Sequence, residues 1–218
     1  MEIKYLGHSG FKFTSQGYNI LVDPWKCSNE NYNSISDILL THGHFDHAGL
    51  GIELSKQNKT KVTAVFELAN YINSIGGNAE GVSLGGWLNF DWGKAIFLPA
   101  FHSSSTPDGH YAGCAAGILL EIEDKRIFHA GDTCLNSEMQ VLREIYHPDI
   151  AILPIGGHYT MDIENSVIAA NLIGAETVIP MHYNTFEAIR VDITQFDALI
   201  KEQGKTPKIF EIGESTNL

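Results

Sequence analysis

The chain is poor in cysteine, in positive charge and in long apolar runs. Its three cysteines, Cys27, Cys114 and Cys134, are an odd number spread over 218 residues. They cannot form a disulfide framework, so stability must come from burial, and a reducing compartment fits best. Fourteen basic side chains face 26 acidic ones, a formal charge of −12. Such a field repels phosphate backbones and anionic lipid surfaces, which disfavours nucleic acid and membranes as partners. There is no run of 18 apolar residues, and Met1-Glu2-Ile3-Lys4-Tyr5 does not open like a signal sequence, so a cytoplasmic location is expected. Repeats, low-complexity tracts and Pro/Ser-rich linkers are missing too, which reads as a single domain over residues 1–218.

What is present is a succession of short apolar runs. Ile3 to Leu6, Phe11 to Thr14, Asn19 to Val22 and Ile38 to Leu40 read as strands of a meander, punctuated by Gly7, Gly10, Gly17 and Asp23-Pro24. A helical pattern from Leu68 to Ser74 stops at Gly76-Gly77, and Ala95 to Pro99 is a further strand. Gly117 to Glu123 and Arg126 to His129 predict a hairpin turning at Asp124-Lys125. Later, Ile150 to Ile155 and Thr177 to Met181 read as strands around a helix from Ile163 to Ile173, opened by Asp162 and closed by Gly174. Thr194 with Asp197 resembles a capping box for a last helix ending at Gly204, and Lys208 to Ile212 is expected to form the final strand. Strands with helices inserted in both halves predict an α/β (α+β) chain built as a four-layer αββα sandwich.

Ten histidines are the one compositional excess, and four potential ligands fall within Thr41-His42-Gly43-His44-Phe45-Asp46-His47, directly after a strand. In an extended segment, residues two apart point the same way, so His42 and His44 can converge on one metal while a turn presents Asp46 and His47 to a second. Chance would give this pattern in roughly one such sequence in a thousand, which favours a metal site over a solvated turn. Three more apolar strands run into a potential ligand: Ala95 to Phe101 into His102, Arg126 to Gly131 into Asp132, and Thr177 to Met181 into His182. The resulting assignment puts His42, His44 and His102 on one ion and Asp46, His47 and His182 on the other, with Asp132 bridging. Such a donor set suits two divalent ions per chain, zinc or manganese first, then iron or nickel.

The order H-x-H-x-D-H, lone His, Gly-Asp, late His resembles the metallo-β-lactamase superfamily, whose αββα fold is the one inferred above. Leu6-Gly7-His8-Ser9, Ala100-Phe101-His102-Ser103-Ser104, His129-Ala130-Gly131-Asp132-Thr133, Leu153 to Met161 and Ile179-Pro180-Met181-His182-Tyr183 are similar to a closer group, the metal-dependent hydrolases related to L-ascorbate-6-phosphate lactonase. The similarity runs from about Ile3 to Phe210. The third histidine lacks the H-x-x-G-H context of true β-lactamases, and there is no RNA-binding arm of the kind tRNA-processing members carry. Di-iron, oxygen-reducing relatives have Glu where this chain has His44, which favours hydrolysis over redox chemistry. The resemblance implies an enzyme that uses a metal-bridging hydroxide to cleave an ester, lactone or phosphoester bond of a small molecule, with homo-oligomers left open.

Asp46 reads as a proton shuttle as well as a ligand, or as a ligand alone. His158, after two glycines, is placed to donate to a developing oxyanion. His8 sits at a glycine-flanked turn where it lines the same pocket or only the core, Tyr183 is a weaker candidate, and Asp23 either orients a ligand histidine or forms an Asp-Pro turn. His129 reads as a supporting or strand histidine, His110 and His147 as loop and helix-end residues, and Cys134 as a small buried hydrophobe rather than a thiolate ligand.

Overall fold

A computed structural model of the protein describes residues 1–28 and 30–217. In chain order it contains β1 (Glu2–Gly7), β2 (Gly10–Ser15), β3 (Tyr18–Val22), β4 (Asp37–Leu39), α1 (Phe45–Asn58), β5 (Lys61–Val65), α2 (Phe66–Ser74) and β6 (Ala79–Val82). There follow β7 (Trp87–Phe90), β8 (Gly93–Pro99), β9 (Ala116–Ile122), β10 (Lys125–His129), α3 (Glu138–Val141), β11 (Ile150–Pro154), α4 (Ile163–Ile173), β12 (Thr177–Met181), α5 (Ile193–Glu202), β13 (Thr206–Pro207) and β14 (Ser215–Asn217). No described helix is long and apolar enough to cross a membrane. Two compact units emerge: one comprises Met1–Gly86, Ser103–Ala116 and the residues from Phe210 onward, the other Trp87–His102 and Gly117–Ile209.

The first unit holds a seven-stranded mixed sheet in the order β14-β1-β2-β3-β4-β5-β6. Strands β1 to β3 are antiparallel, as a meander requires, but β4 joins β3 in parallel, and β5 and β6 continue that way. The expected meander therefore stops at β3, because β4 runs in the same direction as β3 and cannot follow it through a hairpin. Ile3, Leu6, Phe11, Phe13, Ile20, Leu21, Ile38, Leu39 and Leu40 are fully buried. Helix α1, for which the sequence predicted only a turn, is the unit's longest element. Its Gly51 suggests a loop but serves packing: a Cβ there would stand 2.9 Å from Leu40 Cδ2, so glycine lets the helix approach β4 closely.

At the sheet's antiparallel side, the Glu30 carboxylate accepts from Lys4 Nζ at 2.7 Å and Lys12 Nζ at 2.5 Å. Burial pushes its carboxyl up, but hydrogen bonding and charge from the two lysines outweigh this and hold it below the usual range. A group with a depressed folded value stabilises above its unfolded pKa and loses that contribution as pH falls through the folded value. Acid unfolding of Glu30→Gln should therefore show a shallower loss of stability below about pH 4.5, measurable by urea titration at several pH values.

The second unit holds the other mixed sheet, ordered β13-β12-β11-β10-β9-β8-β7. Strands β10 to β13 are parallel to one another, while β7 pairs with β8 and β9 with β10 in antiparallel fashion. Strand β11 is buried along its whole length, the pattern of a central parallel strand. Helix α4 and strand β12 have the predicted bounds, with Asp162 Oδ1 accepting from Asn165 N and Gly174 at φ 80° ending the helix.

Three expectations fail locally. The β9–β10 hairpin turns at Glu123-Asp124, with Glu123 at φ 56°, one residue earlier than predicted. Asp192, not Thr194, caps α5: its Oδ1 accepts from Thr194 N at 3.0 Å and Thr194 Oγ1 at 2.7 Å, while Asp197 pairs with Lys201. Lys208 to Ile212 is not a strand: β13 ends at Pro207, the Lys208 N to Val178 O hydrogen bond at 2.9 Å closes its pairing with β12, and Ile209 and Ile212 are exposed.

Candidate metal centre

In the first unit the histidine motif opens at Thr41, two residues beyond the end of β4, and runs into the first turn of α1. His44 is the residue before the helix, and Ala48 N donates to its carbonyl at 2.8 Å. Asp46 thus lies in the helix's first turn, where the unpaired N–H groups and the dipole favour a carboxylate. Gly43 must be glycine. A Cβ would meet Ala112 Cβ at 2.6 Å and Ser105 O at 2.8 Å, and Gly43 N donates to Ser104 Oγ at 3.1 Å. Gly43→Ala should cost about 1–3 kcal/mol and displace the motif, seen as a lower melting temperature together with weaker metal retention.

Asp23, fully buried, organises two of the candidate ligand histidines. Its Oδ1 accepts from Thr41 N at 2.8 Å, and its Oδ2 accepts from Thr41 Oγ1 at 2.5 Å and His47 Nδ1 at 2.7 Å. The single hydroxyl hydrogen of Thr41 is committed to Asp23, so Thr41 Oγ1, 3.0 Å from His42 Nδ1, must accept there. This network places the ring protons of His42 and His47 on Nδ1 and turns the lone pair of each Nε2 outward, the tautomer that ligates metal. His42 Nε2 stands 3.0 Å from His44 Nδ1, and His47 Nε2 3.8 Å from Asp46 Oδ2. Two ligands at ~2.05 Å from a tetrahedral ion would be ~3.3 Å apart, so the spacing and chemistry of these donors fit a borderline divalent metal. His8, also fully buried, lies 2.9 Å from Asp46 Oδ2 through its Nε2.

The second unit brings His102, Asp132 and His182 together. Asp132 Oδ2 is 3.2 Å from His182 Nε2 and 3.5 Å from His102 Nε2, again close to the ligand spacing expected around one ion. Local bonds fix all three. Phe101 N donates to Thr133 Oγ1 at 3.1 Å and Cys134 N to Phe101 O at 3.4 Å, which ties the His102 segment to the Asp132 loop. His182 follows β12 at φ 54°, and a Cβ on Gly156 would collide with its carbonyl oxygen, so the two loops pass at backbone contact.

The remaining sequence-predicted residues divide. His158 is exposed at φ 53° with its ring edge-on to Tyr159, and Tyr183 is half-buried. His129 is buried in β10, its Nδ1 accepting from Gly131 N at 3.2 Å, as a strand histidine would. Cys134 is exposed, against the expectation of a buried hydrophobe, because it lies in the irregular segment after Asp132 and not in a buried strand or helix face. Thr41 and Ser104 were not predicted; a hydroxyl beside a ligand is an ordinary residue in sequence, and only the buried position of Thr41 between two site residues hints at its role.

Two helix-flanked mixed sheets whose strand ends carry His and Asp donors define a metallohydrolase of the metallo-β-lactamase fold, the class expected from the sequence. The family model for the beta-lactamase superfamily domain matches residues 2–182. A UPF0173 metal-dependent hydrolase of Bacillus cereus is 43% identical, with 100% of both chains covered. The solved structure of Igni18, a metallo hydrolase of the archaeon Ignicoccus hospitalis, aligns at TM-score 0.89 and 34% identity over 99% of this chain and 97% of that one. An isothiocyanate hydrolase from Delia radicum gut bacteria shares the fold, with TM-score 0.78 at 17% identity over 100% of this chain and 99% of that one. The chain belongs to the beta-lactamase superfamily, among its metal-dependent hydrolases.

Proposed function

We propose that the chain acts as one hydrolase domain holding two divalent ions, zinc or manganese, through His42, His44, Asp46, His47, His102, Asp132 and His182, with Asp132 shared between the ions. The observation that carries this reading is the His42–His44 pair, whose ring nitrogens converge to 3.0 Å while Thr41 and Asp23 fix the ligating tautomer. When bound, the ions lower the pKa of water toward neutrality and polarise the oxygen of the scissile bond. Asp46 accepts the proton of the attacking water and returns it to the leaving oxygen, a role suited to a half-buried carboxylate at a helix N-terminus. Asp23 keeps His47 in its ligating tautomer throughout. His158, exposed beside the Gly156-Gly157 turn, supplies a hydrogen bond to the oxyanion that develops on the substrate.

The substrate class is a small polar or anionic molecule with an ester, lactone or phosphoester bond. The resemblance to the lactonase group supports a lactone or a phosphorylated sugar. The acidic balance, −12 overall, disfavours nucleic acid. The test is a panel of lactones, carboxylic esters and phosphodiesters assayed after chelation and after reconstitution with zinc, manganese or iron. Hydrolysis of one class, lost on chelation and regained with zinc or manganese, is expected. Oxygen consumption with iron and no hydrolysis would favour an oxidoreductase instead.

A further inference from the structure

We propose that His8 is a positioning residue that holds Asp46 in its working orientation by donating a hydrogen bond from Nε2 to Asp46 Oδ2. The inference rests on the reading of Asp46 as a metal ligand and proton carrier, and assigns a role to a residue 38 positions away in sequence. Three observations support it. The contact is 2.9 Å long, between an imidazole with no exposed surface and a carboxylate side chain that is 13% exposed. The backbone of His8 is held at φ 55°, a left-handed conformation that strains a residue with a Cβ, although the turn Gly7-His8-Ser9-Gly10 already uses glycine on either side. A turn that needed only its shape would be served better by asparagine or glycine here, and strain retained at one residue points to use of its side chain.

The third observation is how thoroughly the ring is fixed. Tyr5 Oη donates to the His8 carbonyl at 3.0 Å, the Trp25 ring packs on the imidazole with centroids 4.8 Å apart, and the His47 ring meets it edge-on at 5.6 Å. Gly10 presses the turn against the Asp23-Pro24-Trp25 segment, since a Cβ there would stand 2.6 Å from Trp25 N. With its frame set this way, Nε2–H offers Asp46 Oδ2 a donor that fixes the orientation of the carboxylate while the other lone pairs of its oxygens stay available. The first unit thus gives each anchor its own partner: Asp23 sets His47 and, through Thr41, His42, while His8 sets Asp46.

Two substitutions separate positioning from packing. His8→Asn tolerates the left-handed backbone but its amide ends short of Asp46; His8→Gln carries an amide N–H to about the reach of Nε2. The full-length protein, freed of metal, is titrated with zinc against a chromophoric chelator, with far-UV circular dichroism and thermal unfolding confirming the fold of each variant. His8→Asn should weaken the second zinc equivalent by about 10- to 100-fold and leave the first unchanged, and His8→Gln should restore the second to within about fivefold. Unchanged binding of both equivalents in His8→Asn would overturn the proposal by showing that His8 only packs. Equal losses in the two variants would overturn it as well, since the imidazole itself would then be needed. A wild-type chain that takes up no second equivalent contradicts the two-ion reading on which the proposal stands, an outcome distinct from the other two.

Discussion

Asp132→Ala is expected to reduce hydrolysis by at least ~10³-fold, about 4 kcal/mol of transition-state stabilisation, and to lower the metal content from two ions per chain to less than one, without unfolding the protein. Its Oδ2 lies between His182 and His102, at 3.2 and 3.5 Å, with the side chain 3% exposed. Removing it leaves two neutral imidazoles without the anion that offsets the charge of a divalent ion. The histidines themselves keep their frames, because the Phe101–Thr133 hydrogen bond and the Gly156 contact with the His182 backbone do not pass through the Asp132 side chain. Loss of metal with an unchanged melting temperature of the metal-free protein is therefore the specific signature, read by elemental analysis and calorimetry. Retention of two ions with activity within tenfold of wild type would remove Asp132 from the site.

Asp23 should give the larger effect on stability. Its carboxylate receives three buried donors, Thr41 N, Thr41 Oγ1 and His47 Nδ1. Asp23→Ala strands all three and should cost about 3–5 kcal/mol, a fall in melting temperature on the order of 10 °C for a chain of this size. Asp23→Asn is the sharper probe. Asparagine tolerates the backbone at φ 44° and its carbonyl oxygen can still accept from Thr41 N. Its amide N–H₂ would face His47 Nδ1, however, and drive the ring proton to Nε2, where it blocks ligation. We expect Asp23→Asn to lose only part of the stability but to bind metal about 10- to 100-fold more weakly. Wild-type metal affinity in Asp23→Asn, measured by the same chelator competition, would show that the tautomer of His47 is set elsewhere.

The seven metal-ligand candidates are picked out in the sequence by residue type, because His and Asp gathered in one short motif or following apolar strands have few other reasons to recur. Helix α4 and strand β12 were legible because caps and apolar runs agree, with Asp162 and Gly174 marking the helix ends. Helix α1 was missed because the segment of Asp46 and His47 was expected to turn; the glycine at 51 inside the helix is a packing requirement, since a Cβ there would crowd Leu40. The parallel entry of β4 beside β3 is a matter of chain direction, which no periodicity encodes. The contacts of Thr41 with His42 and of His8 with Asp46 are products of the fold alone.

The central claim, that the His and Asp donors hold a pair of divalent ions, is tested most directly by counting metal. The protein purified without added metal, and again after exposure to zinc or manganese, is to be quantified for zinc, manganese, iron and nickel by mass spectrometry against protein concentration. About two ions per chain, zinc or manganese, is the predicted result; fewer than ~0.2 ions per chain before and after exposure would contradict the account.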